Sequence, residues 1–531
     1  MLQTVRSTRG MAVAPHALAA QAAVDILRSG GNAIEAMVAA ASTIAVVYPH
    51  MNSIGGDGFW TISCPGQPVV AIEACGAAAG GISIDYYTAK GCAKIPSRGP
   101  DAANTVAGTI GGWQAALDIS REWGGRLPLG RLLENAIFYA HDGIPVTRSQ
   151  TVTTAKKLGE LKSLPGFAET FLVGGEVPQP GERLRLPQLG KTLKALADDG
   201  LDSFYRGRLA ASIAKELKAL GSPVSADDLA RYRATVCKPL ELAHSLGKIY
   251  NMTPPTQGLV SLIILGLLDR LDINRFGPDS AEYIHCVVEA TKQAFLIRDS
   301  HITDPAFMRD DPQSFLAPEH LDKLRAAISM EKALPWGQGK GPADTVWMGV
   351  IDGEGRAVSF IQSIYHEYGS GLVLSETGLN WQNRGCSFSL DSKHINALAP
   401  NKKPFHTLNP ALARLNDGRV MVYGTMGGDG QPQTQAAVFT RYAVYNQTMQ
   451  AAITAPRWLL GRTWGDDTDS LKLEGRFPAE TRRKLEALGH EVEMVEDFDE
   501  IVGHAGGIAR FANGVLEGGS DPRSNGGVAG F

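Results

Sequence analysis

The chain has 531 residues, 44% of them hydrophobic and 20% charged, with a formal net charge of −4. This is an ordinary globular composition, long enough for two or three average domains or for one large layered domain. No basic block or stripe is present, so nothing favours nucleic acid or an anionic membrane as partner.

The first twenty residues carry Arg6 and Arg9 but no long apolar run, which makes a poor secretory signal. The most apolar stretch, Ala36 to Tyr48, is too short to span a bilayer. Six widely spaced cysteines without a Cys-x-x-Cys pair point to reduced thiols and a cytoplasmic location. Ala17 to Arg28 and Ala33 to Val47 read as helices, separated by Ser29-Gly30-Gly31-Asn32. There the glycines end one helix and Asn32 caps the next. A glycine-rich turn follows at Gly55-Gly56-Asp57-Gly58, with short strands expected at Phe59–Ser63 and Val69–Glu73. Residues 125–235 alternate helical segments with polar loops. Gly258–Leu271 reads as a buried helix and Glu282–Arg298 as an amphipathic one.

Composition shifts at Trp336-Gly337-Gln338-Gly339-Lys340-Gly341-Pro342, which reads as an exposed linker. Strands are expected at Thr345–Ile351 and Arg356–Ser363, joined by a tight turn at Asp352-Gly353-Glu354-Gly355. If Gly353-Glu354 form a two-residue loop, Thr345 falls opposite about Gln362, beside Ser363, to within one residue.

Two positions could carry chemistry. A Thr hydroxyl becomes a nucleophile when a base lies beside it, and a free α-amino group is such a base. Thr345 would hold both parts if the bond before it were cut, and its own hydroxyl could attack the Asp344 carbonyl to cut it. By position alone it reads as a β-branched residue starting a strand, as many are. Gly424-Thr425-Met426-Gly427-Gly428-Asp429-Gly430 could aim backbone N–H groups at an oxyanion, each worth roughly 2.7 to 4 kcal/mol. Alone it reads as a plain turn.

Asp344 through Asp352, with Gly355-Arg356-Ala357-Val358-Ser359, resembles the processing site of the γ-glutamyltranspeptidase family. Further blocks resemble that family in the same order. They are Gly31–Ala36, Pro49–Phe59, Pro254-Pro255-Thr256-Gln257-Gly258, the segment with His285, Glu289 and Asp304, and Gly518–Arg523. The resemblance implies an α+β, four-layer αββα N-terminal-nucleophile sandwich. It further implies self-cleavage between Asp344 and Thr345. The products would be a large subunit, residues 1–344, and a small one, residues 345–531, together forming one αββα domain. Thr345 would be the nucleophile, Ser363 a second hydroxyl supporting its amine, and Gly427 and Gly428 the oxyanion hole.

The substrate positions depart from the family pattern. Ser387 stands where an Asp grips the glutamyl amino group, and Cys75 stands near the place of an Arg that grips its carboxylate. His406-Thr407 replace tandem serines, and Tyr365 replaces an Asn. A buried ammonium without its carboxylate would be costly, so the pocket looks unsuited to glutathione. Arg384, beside Asn383, stands where a neutral Gln is usual and could hold a carboxylate through two hydrogen bonds. Arg384 could equally be a structural or surface residue, and His406 a packed core histidine. These features resemble the oxamate amidohydrolase branch, which serves purine (uric acid) breakdown. A hydrolase of a short acid amide is therefore expected, with Arg384, His406, Thr407, Tyr365 and Asn383 at the substrate. The alternatives are a γ-glutamyl hydrolase, transpeptidase or acylase, and a silent binding homologue. His50 is expected to order the Gly55-Gly56 turn, and Asp57 and Asp429 to cap loops. Neither metal nor cofactor is expected. The expected partners are the amide and the two subunits, with a homodimer of heterodimers held open.

Overall fold

The computed structural model describes residues 3–337, 344–461 and 469–531, apart from the side chain of Asp344. The expected linker lies outside the described residues from Gln338 onward.

Two antiparallel seven-stranded sheets form the centre. One runs, in spatial order, Val5–Ser7, Leu516–Ser520, Ala505–Arg510, Val420–Thr425, Ala411–Leu415, Gly247–Asn251, Leu240–His244. The other runs Gly527–Gly530, Gly10–Ala14, Asp344–Asp352, Ala357–Tyr365, Asp57–Ser63, Val70–Ala74, Thr235–Cys237. Each sheet mixes strands from before and after Thr345.

Three apolar cores separate four layers. Trp347, Ile351, Phe59, Ile361, Leu412, Val422 and Ile508 pack between the sheets. Val346, Met348, Val350, Val358 and Phe360 face the other way, onto the helices Ala17–Arg28 and Ala33–Val47. Ala411, Ala413, Met421 and Tyr423 pack on the helices Gly258–Arg270, Ala281–His301 and Gly430–Phe439. Successive strand residues alternate between faces, so a strand covered on both sides reads as nearly continuous apolar sequence. This is the expected αββα sandwich.

Local chemistry sets the first helices as expected. Asn32 Oδ1 accepts from the Ile34 and Glu35 amides, and Glu35 returns a bond to Asn32 N. The helix Ala281–His301 is not amphipathic: residues 283–295 are buried throughout, between its neighbours and the Ser329–Leu334 segment. The hairpin also differs from expectation. Asp352 N donates to Arg356 O and Gly355 N to Asp352 O, with Gly355 at φ 85°. The loop is therefore three residues long, and the ladder shifts by one, within the stated error.

Candidate active site

The row of residues at one end of the second sheet follows from strand register. Ser363 pairs with Asp57, and a bulge between Val346↔Gln362 and Asp344↔Tyr365 sets Thr345 across from Ser363. Trp347, Ile361 and Phe59 all face the space between the sheets. Thr345, Ser363 and Asp57, two residues away on each strand, share that face. All three are at most 1% exposed. Thr345 Oγ1 has no hydrogen-bond partner. Ser363 Oγ accepts from Tyr365 N at 2.8 Å and from Arg384 Nη2 at 3.3 Å. Ser363 is thus no solvent-facing strand residue.

The facing sheet contributes the glycine turn. Gly424 packs so closely on Trp347 that a side chain there would collide with the indole. The strand carrying Thr345 is thereby held against the strand leading into Met426-Gly427-Gly428. Gly427 and Gly428 have φ values of 118° and 50°. Their carbonyls are used: Gly427 O accepts from Gly430 N at 2.7 Å, and Gly428 O from Gln257 Nε2 at 2.8 Å. Among the described residues no acceptor faces either glycine amide. Successive amides with carbonyls tied away form a concavity suited to an anion.

Arg384 sits in a short turn, Arg384–Ser387, and is 1% exposed. It is not a surface residue. Its guanidinium carbon lies 3.9 Å from the Tyr365 ring centroid, and Nε and Nη1 have no hydrogen-bond partner. Burial lowers its pKa, while Tyr365 and Asp57 raise it. Tyr365 is held at φ 81°, a left-handed conformation unusual for a bulky residue.

His406 is fully buried, edge-on to Phe59 at 4.9 Å. Its Nε2 lies 3.5 Å from Asp57 Oδ2, yet neither atom makes a hydrogen bond. Burial, then Arg384 and Lys403, depress its pKa well below 6.5, so it is neutral and the contact is not an ion pair. Asp57 Oδ1 accepts from Gly76 N, Gly108 N and Gln382 Nε2. Burial raises its pKa to about 7, against the pull of Arg384 and these donors. Thr407 Oγ1 is unpartnered, while Thr407 O accepts from Gln257 Nε2 at 2.9 Å.

Asn383 has a different environment. Its Nδ2 donates to Ser97 O at 2.8 Å and its Oδ1 accepts from His366 N at 3.1 Å, so the side chain ties loops together.

The gamma-glutamyltranspeptidase family model matches residues 19–531. The chain belongs to that family. It is 60% identical over 526 residues to the oxamate amidohydrolase proenzyme of Klebsiella pneumoniae subsp. pneumoniae, covering 99% of both chains. It is 41% identical to the glutathione hydrolase-like YwrD proenzyme of Bacillus subtilis, covering 100% of both. The crystal structure of cephalosporin acylase from Bacillus halodurans superposes with a TM-score of 0.91 at 33% identity, covering 100% of this chain and 97% of that one. This member of the transpeptidase family is a hydrolase of amide C–N bonds.

Ser387 Oγ donates to Phe405 O at 3.2 Å, and Cys75 is buried in the inter-sheet core. Burial pushes the Cys75 thiol well above its usual range. One expectation needs correction. His50 does not order the Gly55-Gly56 turn; its Nε2 meets Ser149 Oγ at 3.2 Å, and Ser53 holds that turn instead. Asp429 makes no cap bond to the helix it precedes. Asp57 does bind loop amides, but those of distant segments, and it belongs to the site. Gln257, inside the Pro254–Gly258 block, ties Thr407 O and Gly428 O together through its side-chain amide. All six cysteines are free.

One group of three described residues could in principle hold an ion: His285, Glu289 and His490. Here Glu289 pairs with Lys292 at 2.7 Å, and His285 Nδ1 meets His490 Nε2 at 2.8 Å. Among the described residues no helix is long and apolar enough to cross a membrane.

Proposed function

We propose that the chain is a precursor that cuts itself between Asp344 and Thr345 and then hydrolyses oxamate to oxalate and ammonia. The cut would leave Met1–Asp344 as large subunit and Thr345–Phe531 as small subunit. In the mature enzyme the Thr345 amine accepts the hydroxyl proton, and Oγ1 attacks the amide carbon. The amides of Gly427 and Gly428 bind the oxyanion, an effect worth roughly 2.7 to 4 kcal/mol per donor. Collapse breaks the C–N bond, and the amine's proton leaves with ammonia. Water then attacks the Thr345 ester and gives a proton to the amine, which passes it to Oγ1 as the acyl–oxygen bond breaks and the acid leaves. Ser363 supports the amine.

The observation that carries the substrate reading is Arg384. A guanidinium this buried, with Nε and Nη1 unpaired beside Ser363, supports an anionic ligand at that point. Oxamate is a carboxylate joined directly to an amide, so its carboxylate would sit one bond from the reacting carbon. Tyr365 shortens the pocket, and Thr407 Oγ1 and the His406 ring offer further polar atoms. The name of the 60% identical Klebsiella relative agrees with this reading. A cytoplasmic place in purine breakdown goes with it.

The test is ammonia release from oxamate compared with product from a γ-glutamyl anilide. Turnover of oxamate, lost in Arg384→Ala, supports the reading. Turnover of the anilide alone would refute it.

A further inference from the structure

The residue after the two turn glycines is held by the other half of the chain. The helix Gly430–Phe439 starts at Asp429, but the Asp429 carboxylate makes no bond to that helix's amides. Its Oδ1 accepts from Arg298 Nη1 at 2.7 Å, with both side chains 1% exposed. Arg298 belongs to the helix Ala281–His301. That helix lies before Thr345 in the chain, whereas the glycine turn lies after it.

Arg298 is itself fixed from three sides. Its guanidinium carbon lies 3.8 Å from the Phe295 ring centroid, and Nε donates to Asp299 Oδ1 at 2.8 Å. Its Nη2 is buried without a hydrogen-bond partner. Burial disfavours its charge, and Asp429 and Asp299 more than offset this, so the pKa rises. Neutral bonds from described residues also tie the turn, among them Gln257 Nε2 to Gly428 O and Gln433 Nε2 to Asp429 O. The Arg298–Asp429 bond is charge-assisted, and such bonds are shorter and stronger than neutral ones.

We infer that Arg298 is a positioning residue of the oxyanion turn: through Asp429 it fixes where the Gly427 and Gly428 amides point. This rests on the proposed role of that turn. Arg298 does not touch substrate. Its effect falls on the transition state, where charge develops on the oxygen, more than on substrate binding. A buried pair that only braces the scaffold would leave the rate per folded, cleaved enzyme unchanged.

The experiment measures kcat and KM per mole of cleaved small subunit for wild type, Arg298→Gln, Arg298→Lys and Asp429→Asn. The substrate is whichever amide the wild type hydrolyses, so failure on oxamate leaves the test intact. Arg298→Gln is expected to lose about 100-fold in kcat, the scale of a misplaced catalytic group, with KM within about threefold. Arg298→Lys keeps a charged bond to Asp429 and is expected to recover most of that loss. Asp429→Asn, isosteric with the wild type, is expected to fall between them, and it carries the test if Arg298→Gln yields no folded protein. Wild-type kcat in Arg298→Gln, or in Asp429→Asn where that variant stands alone, would overturn the inference. So would a rise in KM at constant kcat.

Discussion

The Arg384 guanidinium lies over the Tyr365 ring, 3.9 Å from its centroid, at the end of the strand that also carries Ser363. One strand end therefore holds both the Ser363 hydroxyl and the ring on which the Arg384 cation rests. Tyr365 adopts φ 81° to do so, and its amide donates back to Ser363 Oγ. A cation–π contact out of water is worth about 2 kcal/mol. Tyr365→Ala should therefore raise KM for oxamate roughly tenfold or more and improve turnover of longer acid amides. Steady-state kinetics across a series of chain lengths checks this. Unchanged preference would remove Tyr365 as the wall.

Arg384 should be far more sensitive to charge and shape than a scaffold residue. Charge-assisted hydrogen bonds are worth about 1.5 to 3 kcal/mol, so Arg384→Ala should cost roughly 10- to 100-fold in kcat/KM on oxamate. Arg384→Lys should recover little, because an ammonium cannot bind a carboxylate through two parallel bonds. A neutral amide of similar size should be affected much less. Equal losses on charged and neutral amides would mean that Arg384 supports the fold instead.

Much of this architecture could be read from sequence. The first two helices show their caps, and their limits agree with the structure at Ala17–Arg28 and Ala33–Val47. The hairpin was legible to within one residue, and the shift came from Gly355, whose left-handed backbone extends the loop. The site was legible where neighbours are close in sequence or lie inside family blocks. Asp57 was not, because its amide partners come from Gly76 and Gly108 and its polar neighbour from His406. Arg298 and Asp429 are 131 residues apart, and no local pattern joins them. Nor does sequence reveal that Asn383 spends both ends of its amide on backbone.

The two turn glycines should not tolerate alanine equally. Gly427 has φ 118°, which a Cβ strongly disfavours, whereas Gly428 at φ 50° lies in the left-handed helical region that other residues enter at modest cost. Gly427→Ala should lower kcat by about 100-fold or more, the loss expected for one oxyanion donor. Gly428→Ala should lose less. Comparable rates for Gly427→Ala and wild type would remove that amide from the mechanism.

A buried charge network near the C-terminus should contribute to acid stability. Asp521 bonds Arg457 and Arg523, and Arg523 bonds Glu474, all within 4% exposure. Burial alone would raise the Asp521 pKa, but Arg457 and Arg523 outweigh it and bring it down to about 2. A depressed folded-state pKa contributes stability above the unfolded value, near 3.9, and loses it as pH falls toward 2. The melting temperature should therefore drop across that acid window. Asp521→Asn should be less stable at neutral pH and show a weaker drop. A wild-type acid profile in that variant would exclude Asp521 as the group responsible.

Every step of the proposed chemistry requires Thr345 to become an N-terminus. The direct measurement is a denaturing gel of the purified protein with N-terminal sequencing of the smaller band. Two bands, the smaller beginning Thr345-Val346-Trp347, with Thr345→Ala remaining one uncut and inactive chain, is the predicted result. A single full-length band that still hydrolyses its amide would contradict it.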